Sequence, residues 1–256
     1  MRAKNVYENL KCMMMELNGY KERKIFTPQE IQKILMTRKK YELKLQRLKK
    51  NISDYTNYIR YECKLLKSRN QRMLKNNILE QETDINLEKN ILRIYKKAFS
   101  LFTDIDMVQS FGEFCIKIRF KIDIYEEMKE CFRIQLLKNP KDEKLWIFCS
   151  NKFWEIEDIE SARNTLIKGI HIVDNPSQLY VTFFKLEVEY ANKLSRLNYE
   201  MGIDTKDYGK IEKGEIAIEF FKEIAQKFTN IEIQQCLKIS KILPGLNEEL
   251  KKLLAN

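Results

Sequence analysis

Three observations predict an all-α fold, a right-handed α-α superhelix (solenoid) of stacked helix pairs. The first is a repeat: Asn139-Pro140 and Asn175-Pro176 stand 36 positions apart, and Leu145-Trp146 and Leu179-Tyr180 stand 34 apart. A period in the mid-thirties built from paired helices marks an α-solenoid. The second is composition. Seven Gly and four Pro in 256 residues are too few turn residues for a β-rich or loop-rich fold. The third is periodicity, because apolar residues recur at three- and four-residue spacing along most of the chain.

The repeat also predicts how a pair begins. Asn accepts the free N–H groups of a helix start, and Pro suits the first helical position because its missing N–H has no partner there. Asp142 and Gln178 sit where the third residue of a cap reaches back.

Apolar residues at 44% and charged residues at 33% give a continuous core under a charged surface. The charge is uneven. Residues 1–75 hold 20 Lys and Arg against 7 Asp and Glu, a net of +13, whereas residues 76–256 hold 27 against 30. Six Cys, at 12, 63, 115, 131, 149 and 236, form no Cys-x-x-Cys pair, and His171 stands alone, which argues against zinc or haem. Scattered Cys in helical patterns read as small buried hydrophobes, consistent with the nucleus or cytosol. Charges follow Met1 directly, so no signal peptide is expected. No uncharged run reaches the ~18 residues of a membrane span.

In chain order, residues 2–18 read as a helix on Val6, Leu10, Met13, Met14 and Leu17, closed by Gly19. Met13-Met14-Met15 reads as gap-filling core. Thr27-Pro28-Gln29-Glu30 is a capping box opening a helix to about Lys50, its apolar stripe (Ile31, Ile34, Leu35, Leu45, Leu48) interrupted at Arg38. Its other faces carry Lys33, Lys39, Lys40, Lys44, Arg47, Lys49 and Lys50 with only Glu42 opposing, a candidate contact for RNA phosphates or an acidic partner. Ser53-Asp54 caps the next helix, where Tyr55, Tyr58 and Tyr61 share one face as a packing seam. Residues 66–85 are polar and either extend that helix or form a looser insertion. Helices are then expected over 86–102, 105–118 and 122–138, from Leu145 to about 156, over 161–171, and from 176 to about 199. After a loop at 201–210 come helices over 211–228, 231–242 and 246–254. This divides the chain into basic N-terminal helices (1–52), a solenoid of about four helix pairs (53–228) and capping helices (229–256).

The chemistry of an active site is missing. No Gly-rich phosphate loop is present. His171, at a helix end, has no second imidazole or triad partner to work with. Acidic pairs such as Glu126-Glu127 are adjacent and diverge on a helix. No cofactor, small-molecule substrate or enzymatic activity is expected.

Aromatic-x-x-aromatic-x-x-aromatic-Glu on one helix, then Ala-Arg-x-x-apolar-x-basic-small on the next, resembles the half-a-TPR (HAT) repeat of RNA-processing proteins. Tyr55/Tyr58/Tyr61/Glu62 and Tyr180/Phe183/Leu186/Glu187 fit the first half, and Phe111 and Phe114 fit it in part. Ser161-Ala162-Arg163 through Gly169 fits the second half. Trp146 leads another first helix, with its later aromatics, Phe153 and Trp154, displaced by one or two places. Further segments, in order, extend the likeness: Phe26-Thr-Pro-Gln-Glu-Ile, Tyr41-Glu-Leu-Lys-Leu-Gln-Arg, Asp54 to Glu62, Leu145-Trp-Ile, Glu160-Ser-Ala-Arg, Leu179-Tyr180 and Lys213-Gly-Glu. Together they resemble the U3 small nucleolar RNA-associated protein 6 family, whose members are usually longer, so the chain reads as a shortened form.

The resemblance implies HAT/TPR-like helix pairs and a nucleolar scaffold in the UTP-B subcomplex of the small-subunit processome. WD-repeat propeller proteins would be its partners, and U3 snoRNA and pre-rRNA its surroundings. It also implies that Tyr55, Tyr58, Tyr61, Phe111, Phe114, Trp146, Ala162, Tyr180 and Phe183 pack the repeats. The alternatives are a HAT scaffold of a splicing or mRNA 3′-end complex, and a solenoid that binds RNA directly.

Overall fold

The computed structural model describes residues 2–203 and 208–255, with side chains for all of these except 2–7 and 12. The Val6 and Cys12 side chains and residues 204–207 of the expected loop therefore lie outside what is described. The described residues form twelve α-helices and no strand. Helices adjacent in sequence pack on one another, α1 on α2, α3 on α4, α7 on α8 and α9 on α10, which is an α-solenoid of helix pairs. The chain divides into two compact units, Met1–Gln135 and Leu136–Asn256.

The first unit opens with α1 (Arg2–Glu22). Gly19 lies inside this helix and does not close it. The turn is made by Lys24 in the left-handed region (φ +55°), where the Ile25 N–H donates to the Tyr20 carbonyl at 2.9 Å. Only Met13 of the methionine triplet is core, while Met14 and Met15 are exposed. The apolar face of α1 is narrower than the sequence suggests.

In α2 (Pro28–Leu45) the capping box is complete. The Glu30 N–H donates to Thr27 Oγ1, and the Thr27 N–H donates to Glu30 Oε2. The helix stops one turn early, at Leu45, where the Lys50 ammonium donates back to the Leu45 carbonyl. Leu48 is thus off the helix and exposed. The cap of α3 (Ile52–Lys75) is Asn51, whose Oδ1 accepts from the Ser53 N–H at 3.0 Å. Residues 66–85 extend this helix to Lys75, then turn through Asn77 (φ +52°) into a single 3-10 turn, Glu82–Asp84.

That turn leads into α4 (Ile85–Leu101), followed by α5 (Ile105–Ile118) and α6 (Tyr125–Lys138). Leu17, Tyr20, Phe26, Ile34, Leu65 and Leu87 form one apolar cluster. Tyr95 and Phe99 of α4, Phe111 of α5 and Phe132 of α6 form an aromatic one, with ring centroids 5.3–5.9 Å apart and mostly edge-on.

The second unit shows why the two Asn-Pro pairs repeat without acting as caps. Asp142 itself caps α7 (Glu143–Glu155), accepting from the Leu145 N–H. Asp158 caps α8 (Ile159–Ile172). The start of α9 (Ser177–Glu200) has no cap from its own side chains. Instead Glu143 Oε1 accepts from the Gln178 and Leu179 N–H groups at 3.0 and 3.3 Å. One helix start in this unit is therefore capped from the first turn of another.

Gly214 sits at φ +78°, with Leu243 Cδ2 2.9 Å from where a Cβ would be, so α10 (Glu215–Lys227) starts four residues later than its apolar pattern suggests. Next come α11 (Asn230–Ile239), a 3-10 turn, and α12 (Leu246–Ala255). Phe184, Val188, Ala217, Phe221, Ile224, Cys236, Leu243 and Leu250 share the core of this unit. Of the described cysteines, Cys115, Cys131, Cys149 and Cys236 are buried and Cys63 is half-buried, all as free thiols. Burial pushes the Cys131 and Cys236 thiols up to about 12.

Candidate interaction surface

The helical period splits α2 into two unlike faces. Ile34, Arg38, Glu42 and Leu45 are buried. On the opposite side Met36, Lys39, Lys40, Leu43, Lys44 and Arg47 line a shallow groove of about 370 Å³. Lys33 is exposed in the first turns of α2 and outside the groove lining, and Lys49 and Lys50 belong to the connection after the helix. The structure therefore gathers four of the seven candidate cations. Arg47 and Lys44 lie 3.6 and 3.9 Å from Asp54, and Lys44 also covers the Tyr41 ring at 5.6 Å. Lys39 and Lys40 make no ion pair among the described residues.

The buried face holds what the sequence reading missed. Arg38, which seemed to interrupt the stripe, is fully buried and donates to both carboxylate oxygens of Glu62 at 2.9 and 2.8 Å, and to Glu16 at 3.3 Å. Glu42 does not oppose the lysine face. It is buried on the other side, accepting from Tyr58 Oη at 3.2 Å, from Asn9 Nδ2 at 3.0 Å and from Arg93. Burial raises the Glu16 carboxyl above its usual range despite Arg38.

A second set binds the polar stretch 66–85, which is the end of α3 and the turn after it. Arg69 donates to Glu88 at 2.8 Å, Arg23 to Asp84 at 2.8 Å and Arg72 to Glu30 at 2.9 and 2.7 Å. Hydrogen bonds from the Arg72 side chain and the Thr27 backbone hold Glu30 down to about 2.

The repeat-motif residues all enter packing. Tyr55 and Tyr58 are buried and Tyr61 is half-buried; Tyr41 stacks on Tyr58 with centroids 4.9 Å apart and planes 7° apart. Phe111 and Phe114 are buried. In α7 the buried face is Trp146, Cys149 and Phe153, so a cysteine takes the middle place and the last aromatic comes one position late. The Trp146 indole donates to the Pro140 carbonyl at 2.9 Å. Its ring lies against Gly169, and Ala162 is fully buried. Tyr180 and Phe183 are buried, with Phe183 stacked on Phe220 at 3.8 Å. Arg163 grips Glu187 through two bonds of 2.6 Å.

His171 is exposed in the last turn of α8. Among the described residues no group of three or more His, Cys, Asp or Glu could hold a metal ion. No described helix is long and apolar enough to cross a membrane.

Sequence-adjacent helix pairs, with aromatic seams and arginine–carboxylate forks between them, define a helix-pair repeat protein of the α-solenoid class. Comparison with known proteins is specific beyond that. Residues 10–94, which contain α2, α3 and the Arg38–Glu62 fork, match the family model of U3 small nucleolar RNA-associated protein 6. The human homolog of that protein is 25% identical over 232 residues, covering 86% of this chain and 38% of the relative. The Schizosaccharomyces pombe protein is 26% identical over 196 residues, covering 75% and 39%. The Dictyostelium discoideum homolog is 26% identical over 171 residues, covering 66% and 28%. The chain is thus similar to the U3 small nucleolar RNA-associated protein 6 family, over residues 10–94 to its family model and more widely to these relatives. It spans about two fifths or less of the length of these relatives.

Proposed function

We propose that the chain is a non-enzymatic scaffold subunit of a nucleolar pre-ribosomal particle, acting in early pre-rRNA processing and small-subunit rRNA maturation. The observation that carries this reading is the family match, which runs through the helix pairs that build the first unit. The mechanism is presentation. Stacked helix pairs, riveted internally by buried ion pairs, hold surfaces on which partner segments lie. In this reading the chain sits in the UTP-B subcomplex with WD-repeat propeller proteins, in the nucleolus, beside U3 snoRNA and pre-rRNA.

A tagged pull-down from the native cell, at moderate and at high salt, tests it. Recovery of WD-repeat processome proteins through high salt, with U3 RNA and pre-rRNA lost, is the expected result. Recovery of splicing or mRNA 3′-end factors in their place would overturn the assignment to this particle. A second reading, direct RNA binding, is favoured by the +13 imbalance of residues 1–75. It predicts RNA affinity that falls steeply with salt and is weakened by reversing Lys40, Lys44 and Arg47 to Glu.

A further inference from the structure

The outward face of α2 is not a plain cationic surface. Met36 and Leu43 are 62% and 51% exposed, and seven residues place them about 10.5 Å apart along one side of the helix. At 100° per residue Lys39 falls on one flank of this apolar line and Lys40 and Lys44 on the other, with Arg47 beyond its end. The result is an apolar strip inside a cationic rim, open to solvent on a helix whose opposite face is anchored by Arg38 and Glu42.

We propose that this face docks an acidic amphipathic helix of a protein partner. Two apolar side chains seven positions apart match the anchor spacing of a helix laid in a groove. The rim selects its charge, because Lys39 and Lys40 make no ion pair within the described chain and would meet carboxylates flanking the partner's apolar stripe. RNA fits less well. The aromatic ring nearest the cations, Tyr41, is stacked on Tyr58 and covered by Lys44, which leaves it no face for a base. Asp54 already draws on two of the four cations, and a phosphate backbone gains nothing from exposed Met36 and Leu43. The proposal is independent of which particle the protein joins.

The test uses the full chain and three fluorescent probes in anisotropy titrations. These are a helical peptide with leucine at every third and fourth position and glutamate elsewhere, a glutamate homopolymer of the same length, and single-stranded oligo(U). The variants are M36S/L43S, which keeps every charge, K39Q/K40Q, which keeps the apolar strip, and L48S as an exposed control outside the groove. The leucine–glutamate peptide should bind, weaken about tenfold in each double variant and be unaffected by L48S. Four results would each overturn the proposal. They are equal binding of the glutamate homopolymer, peptide binding indifferent to M36S/L43S, oligo(U) binding that depends on Lys39 and Lys40 while the peptide does not bind, and self-association of the chain that M36S/L43S abolishes. The last would place a second copy on this face.

Discussion

Arg38 reaches 24 residues along the chain to fork both oxygens of Glu62, and Arg163 reaches the same 24 residues to fork Glu187 with the same two nitrogens. Each pair joins one helix to the next, α2 to α3 and α8 to α9. The two forks differ in burial, since both partners are fully buried in the first and Arg163 is a quarter exposed in the second.

Removing the acceptor charge should therefore cost more in the first unit. Glu62→Gln leaves a buried guanidinium facing only Glu16 and should lose about 3 kcal/mol or more. Glu187→Gln leaves Arg163 with access to water and should lose roughly 1–2 kcal/mol. Denaturant midpoints followed for each unit would show the order, and equal losses would contradict it.

Glu16 gives a pH dependence of the opposite kind from a stabilising carboxylate. Burial raises its folded-state pKa above the usual 4.5. The native protein then takes up a proton before the unfolded chain does as pH falls, so this group makes stability rise on acidification through the folded pKa towards 4.5. Glu16→Gln should remove that slope and stabilise the protein at neutral pH, while Arg38 keeps its fork to Glu62. Thermal unfolding of both proteins between pH 5 and 8 checks this; a destabilised variant at pH 7 would show that the charge on Glu16 is needed.

A methyl group at position 169 would lie 3.0 Å from Trp146 Cγ and 3.2 Å from Leu179 Cδ1. The indole is held by its bond to Pro140, so it gives little. Overpacking of about 1–3 kcal/mol should outweigh the roughly 1 kcal/mol gained by replacing glycine within a helix. Gly169→Ala is thus expected to be destabilising, with a shift in tryptophan emission that a purely local helix effect would not produce.

Glu143 caps a helix that begins more than thirty residues later. Glu143→Ala should cost about 1 kcal/mol and speed amide exchange at Gln178 and Leu179 before the rest of α9. Unchanged protection at those two amides would show that the start of α9 is satisfied without it.

What was legible in the sequence was what is local. The Thr27-Pro28-Glu30 start, the helical periods and the aromatic stripes are set by residues within one or two turns of each other, so their spacing alone determined an all-α chain of helix pairs. The repeat signature was legible for the same reason, and with it the similarity to a family model over residues 10–94. Tertiary structure decided which face of each helix meets which neighbour, and so which charges are structural. Arg38 looked like a break in an apolar stripe and Glu42 like a surface counter-charge, yet both are buried because their partners, Glu62, Tyr58 and Arg93, come from other helices. Asn175 looked like a cap, but the carboxylate that caps α9 arrives from α7. Lys49 and Lys50 left the basic face because the helix ends at Leu45, where Lys50 satisfies a free carbonyl. A buried charge is tolerated only where an opposite charge reaches it, and that distance belongs to the folded chain, not to its order of residues.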